Sequence, residues 1–117
     1  MIDLDLAGRT VDRLEFSTVL DLAFSDGSML RVETDLQITA RDGQVKDVDP
    51  ATPVTVAPAL ALLHAEVVAA TAGDDGGLEV AFADGTRLRV DPDDAYEAWS
   101  FGGGGHRGLL SGPGGVI

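Results

Sequence analysis

Apolar and polar residues alternate with a period of two through most of this chain, and one alternating stretch occurs twice. Leu20 to Asp35 reads LDLAFSDGSMLRVETD, and Leu78 to Asp93 reads LEVAFADGTRLRVDPD, at a constant offset of 58 with nine of sixteen positions identical. In the first copy Leu20, Leu22 and Phe24 share a face, opposite Asp21, Ala23 and Ser25; beyond the turn, Leu30 and Val32 alternate with Met29, Arg31 and Glu33. The second copy repeats this with Leu78, Val80 and Phe82, then Leu88 and Val90. Such alternation predicts two β-hairpins, each with one buried face. A unit used twice speaks to architecture and says little about chemistry.

The turns can be argued from register. A two-residue Asp-Gly loop would pair Leu22 with Arg31 and carry a charge onto the apolar face, because a one-residue slip exchanges the faces. A three-residue loop, Ser25-Asp26-Gly27, pairs Leu22 with Leu30 and Leu20 with Val32. The same loop in the second copy, Ala83-Asp84-Gly85, pairs Val80 with Leu88 and Leu78 with Val90. Its last residue takes a left-handed conformation, which suits Gly27 and Gly85. Asp26, Gly27, Asp84 and Gly85 are therefore read as structural turn residues.

Weaker strand signals flank each hairpin: Ile2, Leu4 and Leu6, then Val11 to Phe16, then Val67 to Ala72. Leu36 to Ala40 and Gln44 to Val48 form another hairpin around Arg41-Asp42-Gly43. One helix is expected over residues 55–65, with Thr55 as cap, Pro58 in the first turn, and Leu60 and Leu63 against the sheet. In the tail, residues 102–117, eight of the fourteen positions from Gly102 to Gly115 are glycine. That composition predicts a long hairpin loop, with Tyr96 to Phe101 pairing with Gly108 to Ser111, and a mild cost for a β-branched residue at Gly104 compared with Gly85. The expectation is an α+β, mostly β domain spanning residues 1–117. Its antiparallel sheet is built from repeat units at about 11–48 and 67–101, with the short helix between the halves.

Charge narrows the function classes. Twenty acidic residues against one Lys and seven Arg give a net charge of −12. Such a surface repels the phosphates of nucleic acid and of anionic membranes. It attracts a basic protein or a metal ion, and it also keeps a protein soluble. The absence of cysteine removes disulfides and thiolate metal sites, and fits a reducing cytoplasm. The N-terminal residues MIDLDLAGRTVD lack the basic start and apolar run of a secretory signal. A cytoplasmic location is the expectation.

The candidate motifs carry little chemistry. Gly103-x-Gly105-x-x-Gly108 matches a dinucleotide fingerprint by letter, but the helix that should follow cannot form across Pro113. Zinc wants three or four ligands, and His64 and His106 are the only histidines. Asp91, Asp93, Asp94 and Glu97 crowd seven residues without the spacing of a calcium loop, and read as a solvated acidic turn. No serine stands in a nucleophile motif. No catalytic residue, metal ligand or cofactor is assigned. A partner-binding surface is expected on Asp91, Asp93, Asp94 and Glu97, joined by His106 and Arg107 of the glycine-rich segment, with Trp99 as a core anchor or, alternatively, an exposed binding hot spot.

Three motifs in order, Phe82-x-Asp84-Gly85-x-x-Leu88-x-Val90-x-Pro92, Tyr96-Glu97-Ala98-Trp99 and Pro113-Gly114-Gly115, resemble a family of small bacterial domains of unknown function. The resemblance runs mainly over residues 66–117 and more loosely over the first half. It implies a bacterial protein and brings no catalytic residues with it. The leading expectation is a non-enzymatic protein-binding module, of the immunity or inhibitor kind, that binds a basic toxin or enzyme. The alternatives are a self-associating module that forms a homodimer, and a small-ligand or metal-binding domain.

Overall fold

The computed structural model describes residues Met1–Ile117 and contains eleven strands in two antiparallel sheets. In chain order the strands are β1 (Ile2–Asp3), β2 (Val11–Phe16), β3 (Leu20–Phe24), β4 (Ser28–Val32), β5 (Leu36–Thr39) and β6 (Val45–Val48). The second half adds β7 (Val67–Ala72), β8 (Leu78–Phe82), β9 (Arg87–Val90), β10 (Trp99–Gly103) and β11 (His106–Ser111). One sheet runs β1-β7-β8-β9-β5-β6 and the other β11-β10-β4-β3-β2.

The two halves exchange their trailing hairpins. Each repeat forms a three-stranded meander, β2-β3-β4 or β7-β8-β9. The hairpin that follows does not stay with its own meander. The first-half hairpin β5-β6 joins β9, with Ile38 opposite Leu88, while the second-half hairpin β10-β11 joins β4, with Phe101 opposite Leu30. The single sheet expected from the repeat is thus two sheets, each assembled from both halves.

Both predicted registers hold. Leu20 faces Val32 and Leu22 faces Leu30; Leu78 faces Val90 and Val80 faces Leu88. Gly27 and Gly85 have φ of 87° and 92°, and their N–H groups close the loops onto Phe24 and Phe82 at 3.0 Å. In each loop the aspartate accepts the N–H two residues on, from Ser28 to Asp26 and from Thr86 to Asp84, both at 2.9 Å. This local bond is why Asp suits the middle of the loop. Gln44 with Asp42 and Gly77 with Asp75 use the same bond, so one turn chemistry serves four of the hairpin loops.

The inward faces of both sheets meet in one core of 24 buried hydrophobic residues. Trp99 is its largest fully buried side chain. Its indole N–H and the Ser111 hydroxyl both donate to the Gly76 carbonyl, at 2.9 and 2.8 Å.

Two local expectations are corrected. Residues 55–65 form no α-helix; two 3-10 segments, Pro53–Thr55 and Ala57–Leu62, occupy the connection. Pro53 and Pro58 withhold N–H donors, and the buried pair Ala59 and Leu62 is three residues apart, which matches the 3-10 period. Leu60 and Leu63 consequently turn outward, and Thr55 is no helix cap: its hydroxyl bridges the backbone of Asp49 and Thr52. Nor is there a long glycine loop. Gly103 already faces His106, so β10 and β11 are joined by a tight turn at Gly104-Gly105. Gly104 is not in free space either: a Cβ there would stand 2.8 Å from both the Asp26 carbonyl and the Ser28 nitrogen.

Candidate functional site

The acidic connection Asp91 to Glu97 carries the chain from β9 in one sheet to β10 in the other. Asp93 shapes it: its carboxylate accepts the N–H groups of Ala95 and Tyr96 at 2.8 and 3.0 Å, and its carbonyl accepts from Gly114 at 2.7 Å. The four carboxylates do not converge. Asp91 and Asp93 line one open groove of about 490 Å³ together with Asp35 and Asp47. Asp94 points to solvent without a partner, and Glu97 turns toward Glu33 at the end of β4, the strand beside β10. Partial burial and then the neighbouring Glu97 charge push the Glu33 carboxyl above its ordinary range.

Arg89 is the sole cation lining the acidic groove, and it is already claimed. Its guanidinium bonds Glu79 at 2.7 Å and Asp91 at 2.8 Å, with Asp75 at 3.6 Å. The cross-strand Glu79–Arg89 pair repeats Asp21–Arg31 of the first half, where Arg31 Nε lies 2.8 Å from the carboxylate. Asp35 and Asp47 were not singled out by sequence. The signal existed in part: hairpin register sets Asp47 across from Gln37, but only the exchange of hairpins sets Gln37 beside Arg89.

His106 and Arg107 sit elsewhere, on the hairpin tip. His106 Nε2 lies 2.5 Å from the carboxylate of Asp26, and its ring tilts against Phe101 at 5.1 Å. Arg9 approaches the same carboxylate at 3.8 Å. Burial disfavours the charge on Asp26, but hydrogen bonds from the Ser28 hydroxyl, His106 and the Ser28 N–H outweigh it and lower the carboxyl to about 2. Thus Asp26, read as a turn residue only, also ties the first meander to the second-half hairpin. The equivalent loop of the other half shows a fainter version: the Thr86 N–H, and less strongly the Arg41 charge, lower the Asp84 carboxyl.

Ser28, Asp26 and His106 are adjacent, yet the hydroxyl donates to the carboxylate at 2.6 Å and not to the imidazole. A serine–histidine nucleophile pair needs the imidazole on the hydroxyl, and that contact is not formed here. No three His, Asp or Glu side chains are arranged to hold a metal ion. His106 and Arg107 do line a groove of about 640 Å³, which runs along β11 with Asp3 and Asp5 on its other wall. No helix is long and apolar enough to cross a membrane.

No curated protein and no solved structure matches the chain. The two repeats, the Asp-Gly loops and the buried Trp99 are carried by one continuous match over residues 2–117, and on it the chain belongs to DUF6188, a family of unknown function.

Proposed function

We propose that this chain is a non-enzymatic binding module that recruits a cationic protein partner, in the manner of an immunity or inhibitor protein. One observation carries the reading. Asp35, Asp47, Asp91 and Asp93 line an open groove whose single cation, Arg89, is divided between Asp91 and two carboxylates outside the groove, Glu79 and Asp75. The groove therefore keeps an unbalanced negative charge on a chain whose net charge is already −12. Such a field speeds the encounter with a basic partner and selects against acidic ones.

Affinity capture from the producing cell, with mass spectrometry of what is retained, tests the reading. The expected result is a basic protein that binds wild type and loses most of its affinity for the variant Asp35→Asn, Asp47→Asn, Asp91→Asn, Asp93→Asn. A purified partner that binds this variant as tightly as wild type contradicts it.

A further inference from the structure

β11 is an open edge, and the other three edges are not. β1 is only two residues long. β2 carries Asp12, Arg13 and Glu15, and its start is covered by residues 64–66, where Val11 donates to Ala65 at 3.0 Å and accepts from His64 at 2.7 Å. β6 is four residues with Lys46 and Asp47 in its middle. Short strands, charges and cover are the ordinary ways to blunt an edge. β11 has six residues, HRGLLS. Its His106 is turned onto Asp26, which leaves Arg107 as the one free charge.

The backbone of β11 is available for pairing. Between His106 and Leu110 no backbone group bonds anything outside the β10–β11 ladder. Glu33 N–H donates to the Ala98 carbonyl at 2.9 Å. By antiparallel alternation, Ser100 and Gly102 then spend their groups on β4, and Trp99 and Phe101 face Ser111 and Leu109. Gly108 and Leu110 therefore direct N–H and C=O away from the sheet.

Beside this edge lies the groove of about 640 Å³. It is the gap between the β11 edge of one sheet and the β1 edge of the other. Phe101, Leu109 and Leu4 give it an apolar floor, and Asp3 and Asp5 stand on the far wall. We propose that an extended segment of a partner protein, alternating apolar and cationic side chains, binds here as an added strand on β11. Main-chain bonds to Gly108 and Leu110 supply affinity, and alternate side chains supply specificity. Apolar positions cover Leu109 and Phe101; cationic positions reach Asp3 and Asp5. A second copy of this chain fits less well, since it brings another −12 of charge to the contact. The cationic character of the segment rests on the reading above; the strand geometry does not.

The test uses the full chain and two capped octapeptides, one alternating Lys with Val and one alternating Glu with Val. The Lys-Val peptide binds, and hydrogen exchange at the Gly108 and Leu110 amides slows by about tenfold or more on binding, while the Glu-Val peptide has no effect. Leu110→Pro removes an outward N–H at an edge position where proline is tolerated, and keeps the wild-type melting temperature while binding about tenfold more weakly. Asp3→Asn with Asp5→Asn weakens binding without touching β11. Equal binding by wild type and Leu110→Pro, or no protection of the β11 amides, overturns the proposal. If the peptide binds Leu110→Pro normally but fails on the quadruple Asp→Asn variant, the strand site falls and the acidic-groove reading stands. A concentration-dependent dimer that Leu110→Pro abolishes, with no peptide uptake, assigns the edge to a second copy and likewise overturns it.

Discussion

The carboxylate of Asp26 and the imidazole of His106 meet at 2.5 Å although 80 residues separate them. The contact exists because the second-half hairpin leaves its own meander and docks on the first, which sets the β10–β11 tip against the β3–β4 loop.

This contact sets a pH dependence. The Asp26 carboxyl titrates at about 2 against an ordinary 3.8, so the folded chain holds it ionised where the unfolded chain protonates it. Its contribution is full above the ordinary value and is lost as pH falls from about 4 toward 2. At about 1.4 kcal/mol per unit, it is worth on the order of 2 kcal/mol at neutral pH. Asp26→Asn is therefore expected to lower stability at pH 7 and to be nearly neutral at pH 2, in denaturant titrations at both values.

Glu33 behaves oppositely. Its carboxyl is raised by partial burial and by Glu97, so stability falls as pH climbs through its titration. Glu33→Gln is expected to raise the melting temperature at pH 7, with the gain fading below the ordinary carboxylate range. A variant no more stable than wild type at pH 7 contradicts the Glu33–Glu97 repulsion.

Trp99→Ala should cost about 3–5 kcal/mol, as for other buried tryptophans. Trp99→Phe keeps most of the packing and leaves the Gly76 carbonyl to Ser111. Adding Ser111→Ala leaves that buried carbonyl bare, so the double variant should lose more than the sum of the single ones, by about 1 kcal/mol or more. Additive losses in a double-mutant cycle would show that the two donors do not share the acceptor.

Gly104 and Gly105 both have positive φ, but only Gly104 has backbone neighbours where a Cβ would go. Gly104→Ala is expected to destabilise more than Gly105→Ala, since the strain at Gly105 has room to relax. Equal melting temperatures would mean that the hairpin tip is not packed on the Asp26 loop.

The strands and turns were legible because their causes are local. Leu20, Leu22 and Phe24 announce a buried face by alternation, and Asp26-Gly27 announces its loop by backbone chemistry. What lay hidden needed long-range pairing. Nothing in the alternation of Ile38 says that it will face Leu88 and not Leu30, since both repeats offer the same Leu-Arg-Val edge. The His106–Asp26 contact, the groove shared by Asp47 and Asp91, and the open β11 edge all depend on that choice. The 3-10 segments were missed for another reason: Ala57 to Leu62 has helix-forming residues, and the prolines with the Ala59–Leu62 spacing overrode them.

Electrostatic recruitment is tested most directly by the affinity of the captured partner across ionic strength. The account predicts that binding weakens steeply from low to high salt, chiefly through a slower association rate, and that the quadruple Asp→Asn variant shows a shallower dependence. An affinity that stays flat with salt for the wild-type chain would contradict it.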